Sequence, residues 1–181
     1  MSPSPRYASL SIALHWLMLV LLVAVYACIE LRELFPRGSE PRELIKTWHF
    51  MLGMLVLVLV TARLWARWRH AAPPISPALP RWQNGLAQLM HLALYALMIG
   101  MPIGGWLILS AEGKPVPFFG LTLPPLTGVD PTVAELVEEI HETAGVVGYW
   151  LIGLHAAAGL AHHYLQRDNT LRRMLPAGRN G

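Results

Sequence analysis

Three stretches of this 181-residue chain carry no formal charge over 18 residues or more: Ile12 to Ile29 (18), Leu86 to Ala111 (26) and Thr143 to Gln166 (24). Runs of that length cross a bilayer as helices. A fourth run, Thr47 to Ala62, has 16 residues and continues as Leu64, Trp65 and Ala66 past Arg63. An arginine at a helix end can snorkel to the interface, so this run also counts as a span. The sequence therefore predicts an all-α integral membrane four-helix bundle. It forms one domain over residues 1–181, with helices at 8–31, 43–68, 82–111 and 133–166. Charged residues make up 14% of the chain and hydrophobic ones 54%, which argues against a disordered chain and against an ordinary soluble domain. The single Cys28 excludes an internal disulfide framework. The first run is read as a helix and not as a cleaved signal. It exceeds a signal core, only Arg6 precedes it, and Leu31-Arg32-Glu33 follows in place of a small-residue cleavage site.

With four spans, both termini and the connection from about Arg63 to Trp82 lie on one side. That side holds Arg6, Arg63, Arg67, Arg69, Arg81, Arg167, Arg172, Arg173 and Arg179, which is 9 of the 14 basic residues, and only Asp168 of the 11 acids. Short loops rich in Lys and Arg stay in the cytoplasm, so both termini are expected there. The pI near 9.4 is then a topology signal. No basic face on a soluble fold points to nucleic acid. Trp65, Trp68 and Trp82 fall near the cytoplasmic interface, and Trp48 and Trp106 near the outer one, as in an aromatic belt. His70 to Pro80 contains four prolines and reads as an extended connection. The outer segment from Glu112 to Asp130 is rich in Pro and Gly. It leads to Thr132 and Glu135, which read as a capping box for a helix that begins outside the bilayer.

Eight histidines are unusual in so apolar a chain. His15 sits near the inner end of helix 1, His49 near the outer start of helix 2, and His91 near the inner start of helix 3. His141 and His155 lie on helix 4, 14 residues apart. That is close to four turns, so they share one face, with about 21 Å between them along the axis. Across the bundle the outer partner is His49, and the inner partner is His15 or His91. Four-helix bundles build cofactor sites from facing side chains, and two imidazoles at one depth can hold a haem iron from both sides. The pattern predicts two b-type haems stacked across the membrane. Gly53, Gly145, Gly148 and Gly159 lie on or beside the ligand faces, where a porphyrin needs room; close helix packing is the competing explanation. Zinc would need three or four ligands at one point, and a proton relay would need acids within the spans. His162 continues the His155 face two turns on and is a candidate quinone contact or alternative ligand, whereas His163 and His70 are read as interfacial or solvated.

Four segments carry a resemblance. They are Ser11-Ile12-Ala13-Leu14-His15-Trp16, Ile140-His141-Glu142-Thr143, Gly153-Leu154-His155-Ala156-Ala157-Ala158 and Ala161-His162-His163-Tyr164, with Asp168-Asn169-Thr170-Leu171 in the tail. The chain resembles the bacterial cytochrome b561 family from about Tyr7 to Pro176, closest to its stand-alone, superoxide-oxidising members. The resemblance implies that His15 and His155 hold the cytoplasmic-side haem and that His49 and His141 hold the outer one, leaving His91 outside the ligand set. It also implies a ubiquinone site at the cytoplasmic end, with His162 as the matching contact.

The expected activity is oxidation of superoxide at the outer side, with the electron passing through two haem b groups to ubiquinone. The outer loops carry five basic and ten acidic residues, so steering of an anion needs a local positive patch. Lys46, one turn before His49, is the candidate, with Lys114 and Arg42 behind it. A second expectation is a membrane anchor relaying electrons between a soluble hydrogenase or dehydrogenase and quinone. A third is a structural or transport protein without cofactor.

Overall fold

The computed structural model describes residues 6–176; Arg179, counted above among the basic residues, lies outside them. Four long helices dominate: α1 (Ser9–Leu31), α2 (Glu40–Arg69), α3 (Arg81–Ala111) and α4 (Pro131–Ala161). Each is long and apolar enough to cross a membrane. Their 23 to 31 residues correspond to about 34–46 Å, more than a hydrocarbon core of about 30 Å. The helices alternate in direction, so the bundle has an end carrying both termini and an opposite, hairpin end.

Local chemistry sets the boundaries. α2 begins after Ser39 with Pro41 in its first turn, beside Glu40 and Glu43, and it ends with Arg67 and Arg69. These charges suit the helix dipole at either end. It therefore starts three residues before the expected start at position 43. At α4 the cap is Asp130 and not Thr132: its carboxylate accepts from the Thr132 and Val133 backbone N–H groups, and Pro131 takes the first helical position. Proline needs no hydrogen-bond acceptor there, which moves the start two residues upstream of the expected box.

The segment between α3 and α4 departs from an all-α fold. Val116–Phe118 (β1) and Leu121–Leu123 (β2) pair antiparallel, with Val116 opposite Leu123. The turn places Phe119 and Gly120 at φ of 46° and 85°, the left-handed pair a two-residue hairpin requires. Val116 is buried, and the Phe119 N–H donates to the Met51 sulfur of α2. Ser110 Oγ accepts from Leu126 N–H, and Trp106 Nε1 donates to the Pro124 carbonyl, which ties the segment to α3.

The core cluster is Met18, Leu21, Val56, Val60 and Met98, from α1, α2 and α3. α4 contributes none of it. α1 packs on α2, α2 on α3 and α3 on α4, whereas α4 meets α1 through side chains. Tyr26 Oη donates to the Gly145 carbonyl at 2.9 Å, and Tyr149 Oη donates to Glu30 at 2.6 Å.

At the terminal end α4 runs into one wide turn, His162–Gln166, and the chain reverses at Arg167, whose φ is 56°. The tail then folds back as a staple. Asn169 Oδ1 accepts from the Ser76 N–H, Asn169 Nδ2 donates to the Pro74 carbonyl, and the Arg173 guanidinium donates to the Pro73 carbonyl. Trp16 Nε1 donates to the Met174 carbonyl, which fixes the start of α1 to the same tail.

Candidate functional site

The histidines meet at two levels. Near the hairpin end, His49 of α2 faces His141 of α4 with ring centroids 6.4 Å apart and planes at 72°. Near the terminal end, His15 of α1 faces His155 of α4 at 6.2 Å and 77°. The core cluster lies between the levels. Met18 and Leu21 follow His15 along α1, and Val56 and Val60 follow His49 along the antiparallel α2.

Whether these pairs suit a metalloporphyrin is a question of spacing and of free lone pairs. A metal bonded at about 2 Å by an imidazole nitrogen on each side, with each ring centre roughly 1.2 Å further back, separates the centroids by about 6.4 Å. Both pairs match that spacing. Among the described residues no group of three or more His, Cys, Asp or Glu side chains converges as a metal site, so a metal held by either pair would take its remaining ligands from a non-protein group such as a porphyrin. At the hairpin-end level the tautomer also fits. His49 Nδ1 lies 3.0 Å from the Val25 carbonyl, which can only accept, so the proton is on Nδ1 and the Nε2 lone pair is free for a metal. Opposite, His141 Nδ1 is buried without a protein partner.

The small residues divide into two kinds. A Cβ at Gly53 or Gly159 would meet nothing within 4 Å, which is the open space a flat macrocycle needs. Gly145 is in ordinary contact with Met101. Gly148 is a packing glycine, because a Cβ there would overlap the Tyr26 hydroxyl and press on Leu97. Gly104, not singled out in the sequence, lies under the His141 ring, where a Cβ would sit 3.3 Å from Nδ1. A groove of about 690 Å³ between α3 and α4, lined by Ala96, Gly100, Gly104, Ala144 and Leu151, reaches His141.

The terminal-end level holds more than a pair. His91 of α3 lies 5.6 Å from the His155 ring, shorter than a shared metal would set, so three imidazoles gather there. Arg63 does not snorkel outward. Its guanidinium donates to His15 Nδ1 at 2.8 Å. His162 sits beyond this level, and Asp168, buried by the chain reversal, contacts its Nδ1 at 2.6 Å. Burial by itself lifts the Asp168 carboxyl. The Thr170 backbone N–H and the His162 ring outweigh that, and Asp168 titrates below the usual carboxylate range. His163 packs on Tyr164, away from the pair. Sequence reasoning misses Asp168 and Arg63 as site residues. Asp168 lies past a reversal that no apolar pattern marks, and Arg63 reads as an interfacial cation.

The cations expected to steer an anion are engaged. Lys46 contacts Glu43 at 3.4 Å and Lys114 contacts Glu112 at 3.0 Å, both on exposed surface. Arg42 is buried, bonded to Glu33 and to the Arg32 and Phe35 carbonyls, where it locks the α1–α2 connection. Among the described residues Arg37 is the one cation of these hairpin-end segments without an acidic partner.

Known proteins resemble this chain over nearly all its length. The family described as Prokaryotic cytochrome b561 matches residues 6–177. "Cytochrome b561 homolog 1" of Escherichia coli K12 is 39% identical over 171 residues, 94% of this chain and 97% of that protein. "Probable superoxide oxidase CybB" of Yersinia pestis is 38% identical over 174 residues, 96% of this chain and 98% of that protein. "Cytochrome b561 homolog 2" of E. coli K12 is 30% identical, covering 94% of this chain and 91% of that protein.

Proposed function

We propose that this chain, which belongs to the prokaryotic cytochrome b561 family, is a diheme b-type cytochrome of the bacterial inner membrane that oxidises superoxide and reduces ubiquinone. The observation that carries the reading is the double histidine pairing: two opposed ring pairs at metal-bridging separation, 14 residues apart along α4. The excess of arginine at the terminal end supports the reading of that end as cytoplasmic. One relative bears a superoxide oxidase name, which supports the choice of donor.

His49 with His141 and His15 with His155 would hold two haems, which would supply one-electron carriers. The protein does the rest. His49 is oriented by the Val25 carbonyl, and the buried α1–α3 cluster excludes water between the levels. At the cytoplasmic end Asp168 accepts the Nδ1 proton of His162, which leaves Nε2 free to take up a second proton and donate it to a quinone oxygen. Two superoxide anions give up one electron each and leave as two dioxygen molecules; one ubiquinone takes both electrons and two protons to become ubiquinol.

The test is purified protein in detergent, analysed for haem and given enzymatically generated superoxide with a short-chain ubiquinone. The expected result is two haem b per chain and quinol formation that catalytic superoxide dismutase abolishes. A colourless active preparation overturns the haem assignment. Two haems with no superoxide-dependent quinol formation, together with copurification of an iron-sulfur partner, overturns the activity in favour of a membrane-anchor electron relay.

A further inference from the structure

Arg63 is a permanent cation on a membrane-spanning segment of α2, turned inward to the His15 ring. Among the described residues it has no carboxylate partner within ion-pair distance. A cation in that setting is costly unless an anion joins it. Its present contact also limits His15. A guanidinium only donates, so the contact engages the Nδ1 lone pair and leaves the ring proton on Nε2. Ligation of a metal through Nε2 requires the opposite tautomer, with the proton on Nδ1, and the guanidinium must then find another acceptor at the same depth. The other level is built differently: there the ring partner is the neutral Val25 carbonyl, with no cation bonded to either histidine.

We propose that Arg63 is the cationic partner of the cytoplasmic-side haem, binding a carboxylate arm of that porphyrin and so favouring the electron on the inner haem over the outer one. This rests on the assignment of His15 and His155 as ligands. Arg63 is a positioning and tuning residue. With both haems bound, an electron passed inward would oxidise the outer one and reduce the inner one, with no bond made or broken. A positive charge beside the acceptor makes that transfer downhill. The asymmetry between a guanidinium at one level and a carbonyl at the other gives the electron path a direction.

The experiment is a redox titration of haem-loaded protein, followed in the visible spectrum, for wild type, Arg63→Gln and Arg63→Lys. His15→Ala identifies the inner wave by its loss. Arg63→Gln is expected to lower the inner midpoint so that the sharing of an electron between the haems shifts about tenfold towards the outer one, 59 mV for one electron. The outer wave stays in place, and Arg63→Lys stays within about twofold of wild type. Loss of the inner haem in Arg63→Gln with retention in Arg63→Lys also supports the pairing. An unmoved inner wave in Arg63→Gln, equal movement of both waves, or loss of the inner haem in both variants overturns it. A His15→Ala protein that keeps both waves overturns the ligand assignment, and the inference with it.

Discussion

At His49 a single hydrogen bond decides what the ring can bind. The Val25 carbonyl accepts from Nδ1–H and leaves a free lone pair on Nε2, in a ring that faces His141 across the bundle. His49→Ala is therefore expected to reduce haem content from two per chain to one, checked by pyridine haemochrome assay; two haems in the variant would refute the assignment. The surface cations behave differently. Exposed ion pairs such as Lys46 with Glu43 are worth about 0–1 kcal/mol, so Lys46 remains available to an approaching anion. Lys46→Glu is expected to slow superoxide oxidation several-fold at low ionic strength and much less once the Debye length falls below about 8 Å. Stopped-flow rates against salt concentration measure this, and equal slowing at all salt concentrations would exclude steering.

The four spans were legible element by element because lipid imposes one requirement, long apolar helices, and writes it as uncharged runs. Their ends were less legible, since Asp130 and Glu40 set them through caps and dipoles that hydropathy does not register. The β1–β2 hairpin was hidden among Pro and Gly, and its turn uses Phe119, a residue without turn preference. For the site, the spacing of His141 and His155 gave the two levels. Arg63 and Asp168 depend on which way a side chain turns, and a linear pattern does not carry that. The glycines show the same limit: Gly53 and Gly148 read alike, yet one faces open space and the other a tyrosine hydroxyl. Gly148→Ala is expected to cost about 1–3 kcal/mol through overpacking. Gly53→Ala should leave the thermal midpoint of the polypeptide unchanged and weaken haem retention. Thermal melts and haem-to-protein ratios of the two variants separate the effects.

For the molecule as a whole, the tail staple joins four parts of the chain: α1, the proline-rich connection, α4 and the tail itself. Its charged centre is Asp168, whose folded pKa lies below the unfolded value of about 3.9. Ionisation is thus favoured by folding. The contribution is present above about pH 4 and is lost as pH falls through the lower folded value. Acidification below about pH 4 should release the tail, seen as a change in tryptophan emission (Trp16 among its sources) and as cleavage near Leu171, while Asp168→Asn should show the released state at neutral pH too. An unchanged cleavage pattern in that variant would mean that Asn169 and Arg173 suffice.

The seating of α4 governs how such a molecule can be made. It is the last of the four helices to leave the ribosome, it supplies one histidine to each ring pair, and only against α3 is it closely packed. On the proposed ligand set, a porphyrin that arrives while the first three helices already stand in lipid finds half of each grip and an open flank. Translation of the final span then shuts both chambers together, so loading and completion of the chain become one event.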